Sequence, residues 1–434
     1  MSKIKKIMVD MSATIIHHGH IRLLKKAAKY GEVVVALTSD EEIIKSKGYR
    51  PEMNFSQRKE IISSIKFVKK VIKAPWLIDD NFLKLHKADL LVHGSDNQNN
   101  VDSAKLKTFR RTEGISSSEI RETSSRILFN RNSNKIMLTP GPGQLAFESV
   151  RGIKPVFGRG DSEFDEISNN VNIWLKKLSG QDNVVSMQGS ATFSIELACH
   201  SFISGNVLII TNGYYGDRLK HLLPRGIKKT IISPNEIPTV KGKFDWILCT
   251  YTETSVAIKN DLHEIKSLAK KLGAKILLDA TASIGLESDH RLADVCCFSS
   301  CKGLFGLTGA SFVAYKSSLS PKNNEKFYFN LNTHLEKKVT GPYHILSSLN
   351  EISKVHKKLV KGVKQSKEWV YKTFTPVNDF KSQEPLLCTH VKEPIKTNDK
   401  NIILYQPRIN VSGSIICHLG NVRELDYELL KKIK

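Results

Sequence analysis

Two stretches decide how this chain folds: KILLDATASIGLES at Lys275–Ser288, and RLADVCCFSSCKGLFGLTGA at Arg291–Ala310. In the first, an apolar run ends in Asp279. In the second, the apolar run Val295–Phe298 ends in Ser299-Ser300-Cys301-Lys302, and a glycine-rich turn follows. Short apolar runs bounded by turn residues read as strands buried on both faces, as in parallel sheets. The carboxyl ends of such strands gather at one edge, where α/β sheets bind ligands. The two stretches therefore bring an acid and a lysine to the same edge of an α/β sheet.

Outward from there, Val185–Met187, Val207–Thr211, Lys229–Ile232 and Trp246–Thr250 read as further strands of that sheet. Helices are expected at Phe193–Phe202, Asp217–Leu223 and Asp261–Leu272. The domain opens with IMLTPGP at Ile136–Pro142 and is expected to cover 136–434. A long helix over about Gly341–Ser366 leads to a small α+β lobe from about residue 373. Toward the N-terminus, Ile4–Asp10, Val33–Leu37, Lys70–Lys73 and Leu90–His93 alternate with helical segments His20–Tyr30, Gln57–Phe67 and Asp79–Lys87. That order predicts a small Rossmann-like, doubly wound domain over residues 1–128. The polar stretch FNRNSNK, 129–135, reads as the linker.

A chain of 434 residues is long enough for two or three domains, and 40% hydrophobic with 25% charged residues is ordinary for a globular protein. No apolar run is long enough for a membrane span. The start, MSKIKKIMVDM, reads as a first strand and not as a secretion signal. Seven cysteines in no zinc-module spacing suit a reducing cytoplasm. The net charge of +23 comes from lysines scattered in pairs, without a basic tail or interleaved aromatics. It suits anionic small substrates better than nucleic acid.

The first candidate site is His17-His18-Gly19-His20, between a strand and a helix. His17 and His20 share one helical face, and the free amides of a helix N-terminus suit a phosphate. Imidazoles there can donate to a phosphoryl oxygen as charge builds, bind a metal, or simply lie at the surface. Three more pieces follow in order: Thr38–Lys47, Val92-His93-Gly94-Ser95-Asp96, and Arg111-Thr112-Glu113-Gly114-Ile115-Ser116-Ser117-Ser118. Together they resemble the HxGH cytidylyltransferases, the class acting on glycerol-3-phosphate and ethanolamine phosphate. The resemblance implies that His17 and His20 steady the α-phosphate of CTP. It implies that Lys45 or Lys47 neutralises phosphate charge, that Arg111, Thr112, Ser116, Ser117 and Ser118 line the nucleotide phosphates, and that Gly94 lies near the nucleoside. Mg2+ is expected with the triphosphate, with its protein ligands unknown. One departure stands out: the family's GTFD aspartate is Thr14 here, with Asp10 nearby to help with metal or geometry. The chain in this respect resembles the phosphonate-associated variants.

The second candidate site joins Asp279 and Lys302 to Gln188-Gly189-Ser190-Ala191-Thr192-Phe193, a turn opening a helix. A lysine amine can condense with an aldehyde cofactor, an acid can keep a pyridine nitrogen protonated, and helix amides can cradle a phosphate. This is the set that pyridoxal 5'-phosphate requires. Residues 136–421 resemble class V aminotransferases of the 2-aminoethylphosphonate transaminase type, through LTPGP (138–142), GRGDSEF (158–164), QGSATFSIE (188–196), NGYYGDR (212–218) and Ser299–Lys302. The resemblance implies the fold-type I architecture, with Lys302 catalytic and Asp279 on the ring nitrogen. Ser190, Ala191 and Thr192 would hold the cofactor phosphate, with Phe193 beside the ring. Thr340 would reach the partner's cofactor in a homodimer formed through this domain. Arg159 would take the phosphonate, and Glu253 is placed among the substrate-binding residues. The family's FRIGxxG arginine, which clamps the donor carboxylate, falls on Ile415 in SIICHLG (414–420), leaving Arg408 or His418 to compensate.

The two resemblances imply consecutive steps. Phosphonoacetaldehyde would be aminated by a donor such as alanine, and the 2-aminoethylphosphonate would take a cytidylyl group from CTP. The same chemistries on another aminoalkylphosphonate or amino-alcohol phosphate, and a nucleotide-sensing N-terminal domain, are the alternatives.

Overall fold

The computed structural model describes residues 5–131, 135–378 and 383–420. The chain divides into two compact units, Met1–Ser133 and Asn134–Lys434.

The first unit runs β1 (Lys6–Met11), α1 (His18–Ala27), β2 (Glu32–Thr38), α2 (Asp40–Lys47), α3 (Phe55–Ser63), β3 (Val68–Ala74), α4 (Asp80–Leu85), β4 (Leu90–Gly94), β5 (Leu106–Phe109) and α5 (Ser117–Arg131). Its five strands are parallel in the order β3-β2-β1-β4-β5. β1 is central, so Ile7, Met8 and Val9 are fully buried. The order reverses beside β1, which opens a crevice at its carboxyl end. β5 was not expected: LKTF buries little of itself at the sheet edge. α5 runs through Arg131, so the first part of the expected linker is helical, and 132–134 lie outside the described residues.

The second unit begins with β6 (Ile136–Leu138), α6 (Phe147–Arg151), α7 (Ser162–Ser179), β7 (Asn183–Gln188), α8 (Ala191–Phe202), β8 (Asn206–Ile210), α9 (Tyr214–Arg218), β9 (Lys228–Ile232) and β10 (Trp246–Thr250). The ribbon β11 (Thr252–Glu253) and β12 (Ile258–Lys259) leads to α10 (Leu262–Leu272), β13 (Lys275–Asp279), β14 (Val295–Ser299) and β15 (Ala310–Tyr315). α11 (Leu331–Leu335), the long α12 (Tyr343–Thr373), β16 (Cys388–Val391), β17 (Ile402–Leu404) and β18 (Ser414–Cys417) follow. The seven-stranded sheet has the order β7-β15-β14-β13-β10-β8-β9. β15 alone runs antiparallel to its neighbours, so the other six carboxyl ends share one edge. β13 pairs with β14 in parallel, Asp279 opposite Cys297, which brings Asp279 and the turn holding Lys302 to that edge as expected. The long helix begins and ends later than expected. The opening strand β6 pairs with β17 of the C-terminal lobe, tying that lobe to the start of the unit. Among the described residues no helix is long and apolar enough to cross a membrane.

Candidate active sites

In the first unit a cleft of about 480 Å³ opens at the carboxyl ends of β1 and β4. His17 is the N-cap of α1. Its Nδ1 accepts from the Gly19 amide at 3.2 Å, while His20 Nδ1 accepts from the His17 amide at 3.3 Å. Both rings therefore carry their proton on Nε2. Gly19 is needed because a Cβ there would lie 2.9 Å from the His17 ring. The ring centroids are 3.9 Å apart. Burial lowers the His20 pKa to about 3, helped by its neighbours His17, Arg111 and Lys47, and burial likewise lowers His17. Two neutral N–H donors thus stand side by side at a helix N-terminus, suited to a developing phosphoryl charge.

Gly94, Arg111, Thr112, Ser116, Ser117 and Ser118 all line this cleft. Arg111 pairs with Asp96 at 2.9 Å. Ser117 Oγ donates to the Ile15 carbonyl, which locks the serine loop onto the histidine loop. Lys47 also lines it, 3.2 Å from Ser12 Oγ and 5.3 Å from the Trp76 ring. Lys45 does not: residues two apart lie roughly 200° apart around a helix, so α2 cannot turn both toward the cleft.

Asp10 lies near the end of β1, where the sequence marks it only as a helper. Its Oδ2 accepts from Asn99 at 2.8 Å and faces His93 Nε2 at 3.5 Å, whereas Oδ1 is buried without a partner. Burial raises its pKa. The signal was an acid closing an apolar strand. Thr14, at the departure from the family pattern, is fully buried and accepts from Arg121 at 2.8 Å; Arg121 also pairs with Glu52. Fully buried Arg58 binds the Ser12 and Thr38 carbonyls and Asp40, fixing the ends of β1 and β2.

In the second unit, Lys302 runs along Gly141, where a Cβ would come within 2.9 Å of its side chain, and its Nζ lies 5.6 Å from the Tyr215 ring. Asp279 Oδ1 accepts from the Thr281 amide and hydroxyl, leaving Oδ2. Ser190 is the N-cap of α8 but makes no side-chain cap bond. The Phe193 and Ser194 amides donate to the Ser190 carbonyl, which leaves the Ala191 and Thr192 amides and the Ser190 hydroxyl open to an anion. Thr192 Oγ1 accepts from Arg218 at 2.9 Å. Lys302, Asp279, Ser190, Ala191 and Thr192 form a set able to hold pyridoxal phosphate. Phe193 packs with Tyr328 and His334 in an aromatic group. The sequence gives Arg218 no role beyond its i,i+3 spacing from Tyr215 on α9.

Several expected substrate contacts fall elsewhere. Glu253 is fully buried, its oxygens accepting from the Gly216 amide at 2.8 Å and from Ser255. It braces the 212–218 loop and has no oxygen left for a substrate. Arg159 is exposed and donates to the Lys337 carbonyl at 2.9 Å, and Thr340 is exposed on a neighbouring loop. Ile415 lies in the apolar core opposite His390 in the β16–β18 pair. His418 is buried, with Nε2 on Thr389 and Nδ1 on the Leu386 carbonyl, and burial lowers its pKa to about 3. It cannot clamp a carboxylate. Arg408 is exposed over the Tyr214 ring at 5.4 Å, where Tyr215 raises its pKa through a hydrogen bond. Of the two candidates it alone reaches the Lys302 neighbourhood.

Comparison with known proteins matches the same two units. Residues 12–123 fit a family model described as cytidylyltransferase-like. Over 247 residues the chain is 29% identical to a 2-aminoethylphosphonate–pyruvate transaminase of Pseudomonas aeruginosa, covering 50% of this chain and 66% of that protein. A relative with the same name from Rhizobium meliloti is 28% identical over 254 residues, covering 51% of this chain and 66% of that protein. The chain thus spans just under two thirds of these relatives' length. Among solved structures, an alanine–glyoxylate aminotransferase from Nostoc sp. has TM-score 0.60 at 18% identity, covering 69% of this chain and 95% of that one. An aspartate aminotransferase of subgroup IV from Thermus thermophilus has TM-score 0.57 at 16% identity, covering 68% of this chain and 96% of that one. The expected fusion of a cytidylyltransferase-like domain with a domain of aminotransferase fold is borne out.

Proposed function

We propose that the chain is a bifunctional transferase of phosphonate biosynthesis. The second unit moves an amino group from a donor such as alanine to phosphonoacetaldehyde, giving 2-aminoethylphosphonate. The first unit then transfers a cytidylyl group from CTP to it. A phosphonate oxygen attacks the α-phosphorus, the bond to the β-phosphate oxygen breaks, and CMP-2-aminoethylphosphonate and pyrophosphate leave.

The observation that carries the joined reading is Asp10. The cleft is lined by Lys47, Arg111 and four serines, yet it contains a buried carboxylate oxygen with no partner. The anionic phosphates of a nucleoside triphosphate repel that group, whereas the ammonium end of an aminated acceptor would pair with it. The amine that the second unit installs is thus what Asp10 would read in the first.

His17 and His20 donate from Nε2 to the α-phosphoryl oxygens as negative charge gathers there, and Lys47 and Arg111 balance the phosphates. Mg2+ would accompany the triphosphate and offset its charge. In the second unit pyridoxal phosphate supplies the electron sink. Lys302 would hold and move the proton, Asp279 would hold the ring nitrogen, and Ser190, Ala191 and Thr192 would hold the phosphate. Arg408 takes the anionic group of the amino donor or the phosphonate.

Arg159 and Thr340 serve the partner's site in a homodimer. Exposed apolar residues a few positions away in the chain support this: Ile153 and Val156 before Arg159, and Leu335 before Thr340. A cytoplasmic location fits CTP as substrate.

Phosphorus NMR of the purified protein with pyridoxal phosphate, Mg2+, CTP, phosphonoacetaldehyde and alanine tests the reading. A 2-aminoethylphosphonate signal converting to a phosphonate–phosphate diester with pyrophosphate is expected. Failure to cytidylylate added 2-aminoethylphosphonate, with CTP consumed on another acceptor, would overturn it.

A further inference from the structure

The guanidinium of Arg218 meets three residues of the second site, Thr192, Asp279 and Tyr215. One terminal nitrogen donates to Thr192 Oγ1 at 2.9 Å, and the other lies 3.5 Å from Asp279 Oδ2. The plane lies 5.1 Å from the Tyr215 ring, the same ring that Lys302 approaches. Nε is buried and has no partner. Thr192 belongs to the helix turn open to a phosphate, and Asp279 Oδ2 is the carboxylate oxygen that Thr281 leaves free. One rigid fork therefore spans the two ends of the cradle.

Two physical features make this arrangement more than packing. Asp279 is only 5% exposed, and an ionised carboxylate so buried needs a charged or multiply donating partner. Arg218 supplies the charge, and its planarity fixes the distance from Asp279 to Thr192, which a lysine could not do. The orphaned Nε–H is a further donor beside the open α8 amides and the Ser190 hydroxyl, and a buried donor left unpaired is costly unless a ligand takes it.

We infer that Arg218 is a further cofactor-site residue. It ties the ring-nitrogen end of the cradle to the phosphate end and keeps Nε–H for an oxygen of the bound cofactor. This rests on the reading that the second site takes pyridoxal phosphate.

The test is a set of binding measurements on the full chain, with pyridoxal phosphate and phosphate-free pyridoxal as probes and fluorescence quenching and the visible absorption band as readouts. Arg218→Gln should raise the Kd for pyridoxal phosphate by about 30-fold or more. Arg218→Lys should raise it by about 10-fold, since one ammonium can meet only one end. Double-mutant cycles of Arg218→Gln with Asp279→Asn and with Thr192→Ala should each depart from additivity by about 5-fold or more, and the visible band should shift. With pyridoxal, coupling to Asp279 should persist and coupling to Thr192 should vanish. Additivity within about 2-fold in both cycles would overturn the inference. If Arg218→Gln does not fold, the same cycles on Arg218→Lys decide. A wild-type chain that binds neither probe would refute the pyridoxal phosphate reading itself, an outcome distinct from additive cycles in a protein that binds normally.

Discussion

Replacing Asp10 by Asn should weaken the first unit's activity toward an aminated acceptor while making the unit more stable. The two signs come from the same geometry. Asp10 Oδ2 keeps its hydrogen bond from Asn99, but Oδ1 is buried with nothing to accept from, and burial raises the carboxyl pKa. A carboxylate whose folded pKa is raised favours folding only while protonated. Stability is lost as pH climbs from the unfolded value through the folded one. At neutral pH the ionised group is thus a burden on the free protein, and Asn, of the same shape, removes it. With an ammonium bound, the burden becomes an asset. A charge-assisted bond to a desolvated carboxylate contributes about 1.5–3 kcal/mol, or about 10- to 150-fold in kcat/KM. The assay is pyrophosphate release from CTP with 2-aminoethylphosphonate and, in parallel, with 2-hydroxyethylphosphonate. D10N should lose the stated factor with the amine and little with the alcohol, and its Tm should rise. Equal losses with both acceptors, or a lowered Tm, would refute the ammonium assignment.

His20→Gln should abolish cytidylyl transfer and also flatten the acid sensitivity of the first unit. A folded pKa of about 3 against an ordinary 6.5 means the unfolded chain takes the proton first. Stability is then lost as pH falls from 6.5 toward 3, by about 2 kcal/mol at pH 5, which urea-dependent hydrogen exchange of β1 peptides at pH 5 and 8 would read in the whole chain. Glu253→Gln should loosen the 212–218 loop by about 1–3 kcal/mol, because its amide nitrogen would face a backbone N–H. Cofactor affinity and Tm should fall together. Arg408→Gln should raise the KM of the anionic substrate it serves by about tenfold or more and leave kcat nearly unchanged, as steady-state transamination would show.

Much of both sites was readable because the informative features were local. An apolar run ending in Asp279 and another ending before Lys302 need only be adjacent parallel strands to meet, and β13 and β14 are. The histidine pair was legible for the same reason: three residues of one helix start fix both rings. β15 was missed although it is buried along its whole length and separates β7 from β14. Its sequence, ASFVAY, opens with small residues straight after a glycine-rich turn. It also runs against the direction that alternating strands and helices impose on the rest of the sheet. β5 was missed because an edge strand buries one face at most, and LKTF shows almost no apolar alternation.

The carboxylate clamp shows where local reading stops. The absence of an arginine in the SIICHLG segment is visible from sequence, as are the candidates Arg408 and His418, but not which of the two stands near Lys302. His418 stands in the right segment and has the right chemistry. What disqualifies it is burial and the commitment of both ring nitrogens to Thr389 and Leu386, partners set by the pairing of β16 with β18. Arg408 lies in a stretch with no motif. What qualifies it is contact with Tyr214 and Tyr215, nearly half the chain away on α9, and through Tyr215 with the neighbourhood of Lys302. A function lost at one backbone position can be restored from any loop that reaches the same few ångströms of space. An absent motif residue therefore locates a gap in the chemistry, and only tertiary packing identifies what fills it.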